Sequence, residues 1–133
     1  MTKAAQRMAA PPDLVTEATR KAGLIWLGIP GRDRAEPIWH HWVDGIAYVI
    51  SSAERPLPEL RDGALATVTV RSRTTGERLV SWLAEAGVVR PGSAEWEHVL
   101  PGLSAKRLNA KLAPAGESVL IRLARTGLLA TLE

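Results

Sequence analysis

The chain has no cysteine, no phenylalanine and a single tyrosine, Tyr48. Without thiols there can be no disulfide, thiolate metal site, iron–sulfur cluster or cysteine nucleophile, and nothing points to an oxidising compartment. Its longest apolar runs are far shorter than the ~20 residues a membrane-spanning helix needs. Residues 1–10 carry Lys3 and Arg7 among small residues but no apolar central stretch, so they read as a disordered leader rather than a secretion signal. A cytoplasmic protein with no membrane partner is expected.

Catalytic signatures are missing as well. None of the serines lies in a Gly-x-Ser-x-Gly elbow, and the chain has no phosphate-binding Walker loop, no dinucleotide fingerprint and no His-Glu-x-x-His. His40 and His41 are adjacent on an expected strand, where neighbours face opposite sides, and His98 has no partner at ligand spacing, so no metal site is expected. A protein poor in such motifs can still do redox chemistry, because a cofactor can carry the difficult step while the protein binds and orients it.

Hydrophobic residues make up 46% of the 133 positions and charged residues 23%, the balance of a folded domain with one core. The net charge of +3 comes from scattered arginines rather than a basic tail. Nucleic-acid binding would need a contiguous basic face with stacking platforms, and none is expected. One domain over residues 11–133 follows.

The pattern along the chain is mostly β. Pro11 and Pro12 precede Asp13, an N-cap for a helix to about Ala22 with Leu14, Val15, Ala18 and Ala22 on its apolar side. Strands are expected over 24–29, 38–43, 46–51, 64–72, 79–89 and 117–124, with a possible edge strand over 128–132. Asp44-Gly45 and Thr75-Gly76 mark hairpins, and Gly87 suggests a bulge or bend. Ser93 followed by Glu95 and Glu97 starts a helix that Pro101-Gly102 should interrupt, with a restart over 103–110. Hairpin-linked strands with two or three short helices make a mainly β (α+β) barrel of six or seven antiparallel strands. The five tryptophans, Trp26, Trp39, Trp42, Trp82 and Trp96, are expected mostly in core or dimer packing.

The stretch Gly45-Ile-Ala-Tyr-Val-Ile-Ser-Ser-Ala-Glu-Arg-Pro-Leu-Pro-Glu-Leu60 resembles the flavin-binding split barrels related to pyridoxamine 5′-phosphate oxidase. The likeness continues through Val70-Arg-Ser-Arg-Thr-Thr-Gly-Glu-Arg-Leu-Val-Ser-Trp82, Pro91-Gly-Ser-Ala-Glu-Trp-Glu97 and Lys106-Arg-Leu-Asn109, which are similar to actinobacterial members. The resemblance implies an antiparallel split barrel and a homodimer whose two subunits form the cofactor site. It also implies a redox protein that binds FMN or a deazaflavin together with a small-molecule partner. Ser51, Ser52 and Arg55 match the positions where that family binds phosphate, and Arg71 and Arg73 would face the same anion through charge-assisted bonds. Oxidase members place a basic residue directly after the position of Arg55, whereas this chain has Pro56, which removes a charge and a backbone donor. Two alternatives keep the fold. One is a haem-binding split barrel with His40 or His41 as axial ligand. The other is a cofactor-free dimeric interaction module.

Overall fold

Asp44 and Gly45 both take positive φ, 51° and 82°. That is the geometry of a tight hairpin turn whose twist matches the flanking strands, and only a short polar residue and a glycine adopt it cheaply. The computed structural model describes residues 12–52, 55–105 and 118–126. They form helix α1 (Pro12–Lys21), strands β1 (Leu24–Gly28), β2 (Glu36–Trp39), β3 (His41–Val43), β4 (Ile46–Ser51), β5 (Leu65–Arg71) and β6 (Arg78–Val89), helix α2 (Ala94–Ala105), and strand β7 (Val119–Arg125). The leader, the helix restart beyond residue 105 and the edge strand over 128–132 lie outside the described residues.

All pairings are antiparallel, in the order β2-β1-β5-β6-β7-β4-β3. The two outer strands of that order, β2 and β3, are separated in the chain by His40 alone. The sheet must therefore curl back on itself into a barrel. The 38–43 segment expected as one strand is thus two, broken at His40. The His40 amide donates to Gly23 O, its ring nitrogens lie 3.2 Å from Gly23 O and 3.0 Å from Thr19 O, and the residue is buried.

Alternation fills the barrel. Ile25 and Leu27 of β1, Ala66, Val68 and Val70 of β5, Val80, Trp82, Ala84 and Ala86 of β6, and Ile121 and Leu123 of β7 point inward into one core. Helix α1 covers one open end, where Val15 and Thr19 are buried and the Thr19 hydroxyl accepts a 3.1 Å bond from the indole of inward-facing Trp82. Leu14, expected on the apolar side, is exposed, and its place is taken by Thr19, whose hydroxyl and carbonyl meet Trp82 and His40. The opposite side of α1 carries Glu17, paired with Arg20 and Lys21 at 2.9 Å each.

Helix α2 covers the outside of the other half of the barrel, over Tyr48, Val89 and Leu120. The Ser93 hydroxyl caps it by accepting from the Trp96 amide. Contrary to the expected interruption, α2 runs unbroken through Pro101 to Ala105. Proline leaves one backbone carbonyl of the preceding turn without its donor, and here that is the carbonyl of exposed Glu97. Gly102 is required by packing instead, since a Cβ there would collide with the His41 imidazole.

Glu95 fastens α2 to the barrel. Arg122 donates to it through Nε (to Oε2, 2.9 Å) and Nη2 (to Oε1, 2.7 Å), and the Tyr48 hydroxyl donates to Oε2 at 2.8 Å. The Arg122 guanidinium holds the Glu95 carboxyl below the usual carboxylate range, against the opposing effect of partial burial, while burial pushes the Tyr48 hydroxyl up. A carboxyl whose pKa is depressed by folding contributes stability at pH values above its unfolded pKa of about 4.3, and that contribution is lost as pH falls through the folded value. The melting temperature is therefore expected to fall more steeply below pH 4.5 in the natural protein than in Glu95→Gln. Identical acid limbs in the two melting curves would show that this pair contributes nothing.

Gly87 is not a bulge. Its register with Arg122 is regular, and a Cβ at this position would collide with the Arg122 guanidinium, so glycine leaves the space through which the arginine reaches Glu95. The irregularity in this ribbon falls instead at Val70/Arg71.

Candidate functional site

With α2 over β3, β4 and β7, the outer face of β2, β1, β5 and the first part of β6 has no helix on it among the described residues. Outward positions here alternate with the core: Trp26 on β1, Thr67, Thr69 and Arg71 on β5, and Ser81 on β6. Thr69 and Ser81 share a 2.8 Å hydroxyl bond across the strands. The Arg71 guanidinium lies 5.4 Å from the centre of the Trp26 ring, a cation–π arrangement, and donates to Gly76 O at 3.1 Å.

The chain leaving β4 meets β2 through Arg55. The Ser51 hydroxyl accepts from the Leu57 amide at 2.9 Å, the Ser52 hydroxyl accepts from the Arg55 amide at 3.2 Å, and the Ser52 amide donates to Arg55 O. Each hydroxyl thus shapes the loop through its oxygen and keeps its own proton to donate. Arg55 donates from Nη1 to Pro37 O at 2.9 Å. Pro37 pairs with Trp26, which in turn pairs with Thr69, so Arg55's anchor and the strand carrying Arg71 stand two strand spacings apart, about 10 Å.

Arg55, through Pro37, thus stands near the outer face that carries Arg71, whereas Ser51 has the inward parity of Ala47 and Val49 and meets the amide of buried Leu57. Arg73 stands in the exposed turn between β5 and β6. The structure also adds residues that the sequence did not single out. Arg32 makes a two-pronged contact with Glu59 (3.0 and 2.7 Å), a 2.6 Å bond with Glu36 and a 2.9 Å bond to Pro56 O. Glu36 also faces Arg55, at 3.9 Å. The two carboxylates hold the Arg32 guanidinium firmly in its charged form, and Arg32 lowers the pKa of Glu59. In sequence, residues 31–37 look like an exposed turn. The i,i+4 spacing of Arg32 and Glu36 was the only available signal, because contact with Glu59 depends on where two loops meet.

The histidines stand elsewhere. Both ring nitrogens of His40 are directed at carbonyl oxygens at the α1 end of the barrel, while His41 lies on β3 against Gly102 of α2. His98 is exposed and meets Asp44 at 2.7 Å. Among the described residues no group of three histidine or acidic side chains is close enough to hold a metal ion, and no helix is long and apolar enough to cross a membrane.

No protein-family model matches the sequence, and no curated protein matches it. Solved structures do match its shape. HutZ, the haem storage protein of Vibrio cholerae, superposes with a TM-score of 0.65 at 16% identity over 93% of this chain and 95% of that one. An FAD-binding protein from Mesorhizobium loti gives 0.63 at 13% over 84% and 85%, and the FAD- and haem-binding protein from Mycobacterium smegmatis gives 0.62 at 14% over 93% and 76%. The fold is a split barrel. At such identities the likeness concerns the path of the chain, so what this split barrel binds must be argued from its own side chains.

Proposed function

We propose that this split barrel is a flavin- or deazaflavin-binding redox protein that works as a homodimer in the cytoplasm. The observation that carries the reading is the outer face on which Arg71 lies over the Trp26 ring, with Arg55 bonded to Pro37 on the neighbouring strand. This barrel shape is shared with proteins described as binding FAD, or FAD and haem.

The residues suit such a ligand in a definite order. Arg55, Ser51 and Ser52 offer a charged fork and two hydroxyl protons to a phosphate at the rim. Trp26, with Arg71 above it, offers a flat polarisable surface for a ring system, and the Thr67, Thr69 and Ser81 hydroxyls offer polar contacts to its edge. A bound flavin supplies hydride acceptance and donation, and a small-molecule partner would meet it on the open side of the face. A second copy is the proposed cover for the rest of the surface, where Trp39, Leu65 and Leu79 are exposed on strands that α2 leaves bare.

Haem fits less well. His40 is committed to two carbonyl oxygens inside the barrel end and His41 lies beneath α2, so neither histidine named in the sequence reading presents a ligand to the open face.

Titration of the purified protein with FMN, FAD, a deazaflavin and haem tests the reading. A flavin-type ligand is expected to quench tryptophan fluorescence and to do so less in Trp26→Phe. Arg55→Ala is expected to weaken FMN about tenfold, roughly 1.4 kcal/mol, while leaving phosphate-free riboflavin unchanged. Failure of every flavin to bind would leave the cofactor-free dimeric module as the better description.

A further inference from the structure

Arg71 is an exposed cation that is nevertheless held in place. Its guanidinium lies over the Trp26 ring and donates to Gly76 O, so it is anchored at two points. That carbonyl occupies a single N–H of the fork and leaves the rest available to a ligand. No carboxylate among the described residues lies within ion-pair distance of Arg71. The outward side chains beside it, Thr67, Thr69 and Ser81, are neutral hydroxyls.

Other charged groups at this end of the ribbon do not neutralise it. Arg78 is the Cα partner of Arg71 across β5 and β6, and Arg73 stands in the turn between them. Glu77 belongs to the same turn and forms an ion pair with none of the three arginines. Strand β1 carries no charge, and Glu36 of β2 is paired with Arg32. Like charges set opposite each other across two strands cost stability. Negative charge arriving on this face would relieve that cost.

From this arrangement, and resting on the flavin reading above, we propose that Arg71 makes the face hold a reduced flavin-type ring more tightly than an oxidised one, and so raises the reduction potential of the bound cofactor. The oxidised ring is neutral. Two electrons and one proton leave the reduced ring with a negative charge, centred on N1, at mildly alkaline pH. A cation fixed at the stacking surface attracts that anion and gains little from the neutral form, and a ring that displaces water from the guanidinium strengthens the attraction. Arg55 has no such preference. It faces Glu36 and is offered to a phosphate, whose charge is the same in both redox states.

The test uses FMN, or FAD if FMN does not bind, on the natural protein, Arg71→Gln, Arg71→Lys and Arg55→Gln. Each complex is titrated with dithionite beside a reference dye at mildly alkaline pH, and the midpoint potential is read from flavin absorbance. Arg71→Gln is expected to lower the potential by about 30 mV, which for a two-electron couple is a tenfold loss of preference for the reduced ring. Arg71→Lys keeps the charge and is expected to recover most of that shift. Arg55→Gln is expected to weaken both redox forms equally and to leave the potential where it was.

Absence of binding by FMN, FAD and a deazaflavin overturns the flavin reading itself. Equal potentials in the natural protein and Arg71→Gln, or a shift in Arg55→Gln as large as that in Arg71→Gln, overturn the role of Arg71 and leave that reading standing. If Arg71→Gln does not fold, as judged by circular dichroism, or does not bind, the natural protein decides alone: a bound potential above that of the free flavin in the same buffer supports the proposal, and one at or below it overturns it.

Discussion

Replacing Trp82 by alanine is expected to lower the unfolding free energy by about 4 kcal/mol, which in a domain of this size is a fall of roughly 15 °C in melting temperature. Trp82 points into the barrel and is almost fully buried, its ring meets Trp42 edge-on at 6.2 Å, and its indole N–H is bonded to Thr19 of the helix that closes the barrel end. Alanine would leave a cavity at the junction of sheet and helix and take the partner from a buried hydroxyl. Trp82→Phe keeps most of the volume and loses the bond, so about 1–2 kcal/mol is expected from it. Trp39→Ala, at a side chain 65% exposed, is expected to change monomer stability by less than about 0.5 kcal/mol. Urea unfolding of the three variants measures these values. A loss below about 2 kcal/mol for Trp82→Ala would mean that α1 does not seal the core as described.

The second large effect is expected from the smallest side-chain change. Gly87→Ala adds one methyl group, and the space it would take is held by the Arg122 guanidinium on its way to Glu95. The arginine must leave, which strands a part-buried carboxylate beside the Tyr48 hydroxyl, at an expected cost of about 2–3 kcal/mol. A double-mutant cycle gives the sharper measurement. In an Arg122→Ala background the same glycine substitution has nothing to displace, so its cost is expected to shrink to less than about 1 kcal/mol. Equal costs in both backgrounds would show that the methyl group acts on the backbone rather than on the arginine.

Both effects depend on side chains the sequence could rank but not pair. Trp82 is one of the five tryptophans expected mostly in core or dimer packing, yet nothing local joins it to Thr19, 63 residues earlier. Gly87 is recognisable as unusual, and a bulge is the commoner local reason for a strand glycine. The actual reason is an arginine arriving from a neighbouring strand.

The candidate site divides in the same way. Ser51, Ser52 and Arg55 were singled out together through the resemblance to the split-barrel family. Arg71 comes near Arg55's anchor only because Pro37, Trp26 and Thr69 pair in register around the barrel. Arg73, equally placed by spacing, stays in the turn. Glu36 and Glu59 were passed over because a carboxylate in an exposed loop has no local sign of what it will meet.

By itself the sequence determined the local geometry: the Asp44-Gly45 turn, the alternation that separates Ile25 and Leu27 from Trp26, and the Ser93 cap of α2. These follow from backbone sterics and from periodicities of two and 3.6 residues, which act over a few neighbours. Only the tertiary structure decided that β2 and β3, joined through His40, are the two outer strands of one curled sheet, that α2 continues through Pro101, and that Arg55 stands facing a carboxylate. Those outcomes depend on the free energy of closing the whole barrel, a sum over contacts far apart in the chain that no short window of residues contains.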